Sequence, residues 1–150
     1  MHSRKSHNKS FYCVTLSYLF LAIVNGYLFT QLNKYLHIKM TQDTVENLSF
    51  FDRLFVIGIM SPVLETILFQ YIIIEFCLKV FKIHIWAILI SSIVFCSVHF
   101  YNPIYLLMAF VGGLILSNYY LFVRANDRIA IIYTAALHAV YNLYGLIFVN

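Results

Sequence analysis

Charged residues are scarce in this chain, and their scarcity argues against an ordinary soluble domain. Only 11% of the 150 residues are charged and 62% are hydrophobic, with a mean hydropathy of +0.82. A soluble domain of this length needs a polar exterior that such a composition cannot supply. Several apolar stretches instead approach the ~20 residues that cross a bilayer as a helix. The sequence therefore predicts an integral membrane protein in contact with the lipid bilayer.

Features that would indicate other classes of protein are also missing. The apolar runs do not alternate with polar residues, which argues against membrane-spanning strands. The net charge of +4 comes from basic residues at the ends of these runs, so it indicates topology, and we expect no nucleic-acid partner. The three cysteines are widely separated within apolar runs. We expect them to be small buried hydrophobes rather than thiolate metal ligands: Cys13, Cys77 and Cys96.

The apolar residues form five segments, and we expect each to be a membrane-spanning helix. The expected fold is an all-α, polytopic bundle of about five transmembrane helices in a single domain. Pro62 lies inside the second segment, where it removes a backbone donor and favours a kink. Lipid cannot satisfy the freed carbonyl, so a neighbouring helix must do so. The segments are residues 11–32, 50–80, 83–100, 103–123 and 129–149.

The basic residues predict how the chain is oriented. Those before the first segment, after the second and after the fourth would lie together on the cytoplasmic side. The first segment follows a basic leader, but it is too long for a typical signal-peptide core and lacks a clear cleavage site. We therefore expect a retained anchor and a multi-pass protein of the cell membrane with a cytoplasmic N-terminus. The residues expected on this side are Arg4, Lys5, Lys9, Lys79, Lys82, Arg124 and Arg128.

Four polar side chains lie inside the apolar segments, where they are costly and therefore indicate a functional site. They are Glu65, His99, His138 and Asn142. A desolvated carboxylate can take a proton from water with the help of an imidazole. A second imidazole and an amide can stabilise the oxyanion that forms at a carbonyl. If the four side chains meet, they are suited to the hydrolysis of an amide bond.

Three motifs around these residues follow one another along the chain. They read Glu65-Thr66-Ile67-Leu68-Phe69-Gln70, then Phe95 to His99, then His138 to Asn142. In these residues the chain resembles the CPBP family of intramembrane proteases, which contains CAAX prenyl endopeptidases and bacteriocin-processing or bacteriocin-immunity proteins. The family pattern is Glu-Glu-x-x-x-Arg, then Phe-x-x-x-His, then His-x-x-x-Asn or Asp. The resemblance covers roughly residues 50–145.

The resemblance implies a glutamic intramembrane endopeptidase that cleaves a membrane-associated protein or peptide. It implies that Glu65 and His99 activate the water, while His138 and Asn142 form the oxyanion hole. No cofactor is expected, although two histidines and one carboxylate leave zinc as an alternative.

The same resemblance implies how the chain is divided and which side chains support the site. A four-helix catalytic core would occupy residues 50–149, after an anchor helix and loop over residues 1–49. Phe69 and Phe95 are expected to pack as walls of the site. A bacterial source is also expected.

Two residues depart from the family pattern. Thr66 stands in place of the second glutamate, and Gln70 stands in place of the arginine. These residues offer Glu65 only neutral hydrogen bonds. Because one negative and one positive group are lost together, no buried charge is left unpaired. We therefore expect an active enzyme, with a pseudoenzyme as the alternative.

Two functions without peptide cleavage remain open. The first is a membrane interaction or bacteriocin-immunity protein of the same fold, in which the polar residues are structural. The second is a small transporter with a proton relay, which the lack of an inverted repeat disfavours. The presence of Glu75 is explained without catalysis, because Lys79 four residues later can form an ion pair with it.

Overall fold

The protein is built from helices throughout the ranges that its computed structural model describes, residues 2–37, 47–100 and 102–148. Four of the helices in these ranges are long and apolar enough to cross a membrane, and a shorter one lies between them. The predicted all-α membrane bundle is therefore confirmed. In chain order the helices are α1 (His2–Leu36), α2 (Phe50–Phe81), α3 (His84–Ser97), α4 (Pro103–Ala125) and α5 (Ala130–Phe148).

Helix α3 is shorter than the sequence predicted. It has 14 residues, which span about 21 Å at ~1.5 Å per residue and fall short of the ~30 Å of hydrocarbon. The predicted segment 83–100 placed His99 inside a helix, but the helix ends at Ser97. The chain leaves the helix because Asn102 must be extended before Pro103, and its side chain caps α4 by accepting from the amide of Ile104 at 2.8 Å.

Helix α2 contains two widened, π-helical stretches, Val56–Met60 and Thr66–Ile73. In the first stretch the amide of Ser61 donates to the carbonyl of Val56, five residues earlier. The same register would pair residue 62 with the carbonyl of Ile57, but Pro62 has no N–H to donate. Asn142 of α5 donates to that carbonyl instead, at 3.0 Å. The expectation that a neighbouring helix satisfies the freed backbone is confirmed.

The bundle is held together by a core of buried apolar side chains and by close helix contacts. Helix α3 packs closely on α4 where Gly113 faces Ser92. A Cβ at Gly113 would lie only 3.0 Å from the Ser92 Cα, so a glycine is needed for this approach. Helix α2 packs on α3 and α5, and α1 packs on α4 and α5. The buried apolar residues of this core include Ile74, Phe95, Leu116, Tyr119, Val123 and Leu137.

One predicted ion pair is wrong. The sequence predicted that Glu75 would pair with Lys79 on the same helix, but Glu75 turns towards α4. There it accepts from Arg124 Nε at 2.7 Å and from the Tyr120 hydroxyl at 2.9 Å. Lys79 is exposed, and an exposed ion pair within one helix stabilises it only slightly. The planar guanidinium of Arg124 and the buried hydroxyl of Tyr120 both donate to the same carboxylate, which is a stronger interaction.

The predicted cysteine environments are partly correct. Cys77 and Cys96 are buried, whereas Cys13 is exposed on α1. All three are free thiols. The expectation of burial is wrong at Cys13, which lies beside the exposed Tyr12 on the surface of α1.

Candidate functional site

A carboxylate and an imidazole meet between α2 and α5. Glu65 Oε2 lies 3.7 Å from His138 Nε2, and the two side chains are 19% and 3% exposed. The contact brings together two residues that are 73 positions apart in sequence. It places an ionisable pair inside apolar helices, where water competes weakly and electrostatic interactions are strong.

Ser61 holds the other oxygen of the carboxylate. Its hydroxyl donates to Glu65 Oε1 at 2.7 Å, within the α-helical turn Ser61–Glu65 that follows the widened stretch. Residues four apart share a helix face, so this spacing was visible in the sequence, yet Ser61 was not identified as a site residue. The hydrogen bond from Ser61 therefore holds Oε1 in place, and Oε2 faces His138 of α5.

His99 lies in the turn after α3 and faces the same site. Its Nδ1 is 2.9 Å from the carbonyl of Phe95. A carbonyl only accepts hydrogen bonds, so Nδ1 carries a proton in this contact. When the ring has only this one proton, Nε2 is an acceptor. The rings of His99 and His138 both pack on the ring of Phe95. The structure therefore groups the carboxylate with both histidines.

Aromatic rings surround the two histidines. The Phe95 ring lies 5.0 Å from the His99 ring and 5.9 Å from the His138 ring, centroid to centroid, and Phe69 packs on Phe95 at 5.6 Å. Phe95 therefore contacts both histidines, and Phe69 packs on Phe95. Tyr105, which the sequence analysis did not single out, adds a ring 5.3 Å from His99. The packing fixes the planes of both imidazoles and keeps their surroundings apolar.

Asn142 lies one helical turn after His138, on α5. One of its two amide N–H groups donates to the carbonyl of Ile57 at 3.0 Å, so one remains for another acceptor. The same side chain therefore stabilises the backbone of α2 and keeps a donor beside the site. The sequence analysis identified Asn142 as an oxyanion donor, with a structural role as the alternative.

The two residues that depart from the family pattern are fully buried. Thr66 and Gln70 are both 0% exposed. Neither the Thr66 hydroxyl nor either end of the Gln70 amide has a hydrogen-bond partner within the described ranges. The neutral hydrogen bonds that the sequence analysis expected from them to Glu65 are not made, because Ser61 occupies that role.

The donor set does not form a ready metal centre. Among residues 2–37, 47–100 and 102–148, no three His, Cys, Asp or Glu side chains come together in a geometry that could hold a metal ion. Glu65 and His138 would supply a carboxylate oxygen and an imidazole nitrogen, which zinc accepts. His99 has its Nε2 available as a third donor, but it does not complete such a group in this arrangement.

Comparison with known families decides the identity of the core. The family model described as type II CAAX prenyl endopeptidase Rce1-like matches residues 47–144. The chain belongs to this Rce1-like family. The match contains the whole Glu65, His99 and His138 site and confirms the resemblance to CPBP proteases, whereas α1 lies outside it. No curated protein and no solved structure matches the chain. An Rce1-like family is a family of membrane proteases, so its members are expected to hydrolyse peptide bonds.

Proposed function

We propose that this Rce1-like protein is an intramembrane glutamic endopeptidase that cleaves a membrane-associated protein or peptide. The observation that carries the proposal is the approach of Glu65 Oε2 to His138 Nε2 at 3.7 Å, with His99 packed on the same Phe95 ring as His138. These groups lie among helices long and apolar enough for a membrane. A site at that depth suits a substrate that is itself held in the bilayer.

In the proposed reaction, Glu65 and His99 activate a water molecule. The Ser61 hydrogen bond orients the Glu65 carboxylate, and the free Nε2 of His99 accepts a hydrogen bond from the water. As the water oxygen bonds to the scissile carbonyl carbon, Glu65 takes its proton. That proton then passes to the leaving nitrogen as the C–N bond breaks, so the carboxylate is regenerated.

His138 and Asn142 are proposed to stabilise the oxyanion of the tetrahedral intermediate. His138 presents Nε2 to the site, and Asn142 has an amide N–H beyond the one bonded to Ile57. Donors fixed before the reaction in an apolar site stabilise developing charge strongly. The mechanism uses no metal ion or other cofactor.

The proposal is tested by cleavage of membrane-anchored peptides in proteoliposomes, with prenylated and unprenylated peptides in separate arms. We expect the native chain to cleave and Glu65→Gln, His99→Ala and His138→Ala to lose most activity. Glu75→Gln is the matched control, because Glu75 lies on the same helix but pairs with Arg124. Each variant must keep the helical content and thermal transition of the native chain.

Chelator separates the proposed mechanism from a zinc mechanism. Activity that survives chelation supports the glutamic mechanism, and activity that is lost and restored by zinc contradicts it. Loss of activity in Glu75→Gln equal to that in Glu65→Gln would also contradict the assignment of Glu65.

A non-catalytic role is the second candidate function, and two observations favour it. Asn142 is already bonded to the backbone of α2, and Thr66 and Gln70 replace the charged pair of the family pattern. In that case the chain would act as a membrane interaction protein, as expected for an immunity factor. A phenotype in cells that survives Glu65→Gln in a folded variant would favour this role over catalysis.

A further inference from the structure

Several buried polar atoms on α2 and α5, close in sequence to Glu65 and His138, have no hydrogen-bond partner among the described residues. Thr66, Gln70 and Thr134 are all 0% exposed. Within the described parts of the chain, their side-chain oxygens and the Gln70 amide nitrogen have no hydrogen-bond partner, and neither does His138 Nδ1. We call these three side chains and the Nδ1 atom the rear polar group.

The direction of the helices brings the members of this group to one level. Ile57 meets Asn142 and Glu65 meets His138, so residue numbers fall along α2 as they rise along α5, and the two helices are antiparallel. The turn after Glu65, which carries Gln70, therefore faces the turn before His138, which carries Thr134. Residues four apart share a helix face, which also aligns Thr66 with Gln70 and Thr134 with His138.

The geometry of α5 indicates the direction of the second ring nitrogen of His138. Side chains on a helix lean towards its N-terminus, so the His138 ring leans over the turn that contains Thr134. Its Nε2 faces Glu65 at 3.7 Å. The opposite ring nitrogen, Nδ1, is therefore turned away from the carboxylate and towards the rear polar group.

The neighbouring serines show that the interior at this depth is polar on a third side. Ser91 of α3 donates to the carbonyl of Phe69 at 2.9 Å, and Ser117 of α4 lies 2.9 Å from the Ser91 hydroxyl. Both serines are 0% exposed. Because Ser91 has one proton and gives it to Phe69, Ser117 is the donor in the serine pair. The two serines therefore have hydrogen-bond partners, whereas the atoms of the rear polar group have none among the described residues.

Leaving such groups without partners is costly. A buried polar group without a hydrogen bond loses the interactions with water that it had in the unfolded chain, and the Gln70 amide alone presents a donor and an acceptor. Polar groups that lack protein partners usually bind ordered water, which makes about three hydrogen bonds per molecule. The rear polar group offers hydroxyls, an amide and an imidazole nitrogen, all of them neutral. It contains no carboxylate for a cation and no positive charge for an anion, so its chemistry fits water.

We propose that the rear polar group is a buried water site that donates a hydrogen bond to His138 Nδ1 and so keeps the His138 proton on Nε2. Thr66, Gln70 and Thr134 hold the water, and Gln70 and Thr134 are positioning residues for the imidazole. Hydration of the site does not depend on the proposed peptidase activity. The use of the Nε2 proton as an oxyanion donor does rest on it.

The hydration is tested on the native chain in lipid nanodiscs by transfer of NMR magnetisation from water. We expect transfer to the side-chain amide protons of Gln70 and to the ring of His138, with Gln70→Met and His138→Gln used to assign the signals. Assigned signals that receive no transfer, while those of the exposed Gln31 do, would overturn the water site. No peptide cleavage enters this measurement, so it stands or falls apart from the proposed function.

The control of the His138 proton is tested by the nitrogen chemical shifts of its ring. We expect a protonated Nε2 and an Nδ1 that accepts a hydrogen bond in the native chain. Thr134→Val, which keeps the shape but removes the hydroxyl, and Gln70→Met should shift the Nδ1 resonance or mix the two tautomers, and Thr134→Ser should restore the native pattern. Thr30→Val and Gln31→Met on α1 are the matched controls. Ring shifts that are unchanged in both Thr134→Val and Gln70→Met would overturn the positioning role.

Discussion

The side-chain amide of Asn142 donates to the carbonyl of Ile57 at 3.0 Å and closes a gap in the backbone hydrogen bonding of α2. The gap exists because Pro62 has no N–H and follows Ser61, whose amide bonds the carbonyl of Val56 five residues back. An open carbonyl in an apolar span has no water to bond. Asn142 therefore links the backbone of α2, shortly before Pro62 and Glu65, to the helix that carries His138.

Removal of the Asn142 amide should destabilise the protein through this carbonyl. We expect Asn142→Leu to lower the free energy of unfolding by about 1–3 kcal/mol, the usual cost of a buried acceptor without a partner. Asn118→Leu on α4 is the matched control, because its amide bonds a carbonyl on its own exposed helix surface. The measurement is unfolding in mixed micelles followed by circular dichroism.

A second substitution identifies the cause of this loss. Pro62→Ala supplies the missing N–H to the Ile57 carbonyl, so Asn142→Leu should cost less in that background than in the native chain. The difference between the two costs is the coupling energy of a double-mutant cycle. Additive effects of Pro62→Ala and Asn142→Leu would mean that Asn142 does not serve the backbone of α2.

Much of the fold was predictable because the bilayer restricts the possible structures. A chain with so few charges can satisfy its backbone in lipid only as helices, and the long apolar runs gave the places of all five. The end of α3 was not predictable from hydropathy, since the apolar residues Val98 and Phe100 continue the run beyond Ser97. Its position is set by Asn102, whose cap on α4 requires an extended backbone.

The candidate site was predictable from rare polar residues and their order, but its support was not. Glu65, His99 and His138 stand out because charge and imidazoles are costly at this depth. Ser61, by contrast, is a common small residue whose role depends on the rotamer of Glu65. Likewise, Glu75 pairs with Arg124 rather than with Lys79. This pairing depends on how α2 and α4 pack, which the sequence of α2 alone does not show.

Loss of the Ser61 hydroxyl should impair the proposed reaction more than the stability of the fold. The hydrogen bond of 2.7 Å holds Glu65 Oε1, and a hydrogen bond to a charged group contributes about 1.5–3 kcal/mol. We expect Ser61→Ala to lower kcat/KM by roughly 10-fold to 100-fold, from the conversion of that energy into rate. Cleavage of the best peptide from the proteoliposome assay is the measurement.

Two matched variants show whether the hydroxyl itself is responsible. Ser61→Thr keeps the hydroxyl and should keep most of the activity. Ser97→Ala removes a hydroxyl that bonds only the carbonyl of Val94 on its own helix, so it should have little effect. Equal activities of Ser61→Ala and Ser97→Ala would rule out a role of Ser61 in orienting Glu65.

The cluster of Glu75, Tyr120 and Arg124 should stabilise the joint between α2 and α4. Arg124 is half exposed, so Arg124→Gln should cost no more than about 1 kcal/mol. Tyr120 is 2% exposed, and Tyr120→Phe should cost about 1–2 kcal/mol because it removes a donor to a carboxylate. Lys79→Gln should have no measurable effect on unfolding. A larger loss of unfolding free energy in Lys79→Gln than in Arg124→Gln would contradict the pairing of Glu75 with Arg124 and favour the pair with Lys79 expected from helix spacing.

Gly26 of α1 allows close contact with the helix that carries the site. A Cβ at Gly26 would lie 2.9 Å from both Cε2 and the hydroxyl oxygen of Tyr141. The Tyr141 ring in turn lies nearly parallel to the ring of His138, with centroids 6.5 Å apart. We expect Gly26→Ala to cost about 1–3 kcal/mol of stability, as overpacking does, and to lower peptide cleavage by displacing Tyr141. Gly145→Ala is the control, because a Cβ there meets nothing within 4 Å.

This substitution decides whether α1 only anchors the chain or forms part of the site. The family match begins at residue 47, so α1 would be dispensable for catalysis if it were an anchor alone. The contact of Gly26 with Tyr141 instead predicts that Tyr141→Leu, which shortens the side chain, rescues part of the loss in Gly26→Ala. An activity of Gly26→Ala equal to that of Gly145→Ala would leave α1 as an anchor. The double variant differs from Gly26→Ala only at Tyr141, the residue that the added Cβ contacts. A rescue by Tyr141→Leu would therefore show that α1, which lies outside the matched residues 47–144, helps to position the wall of the site.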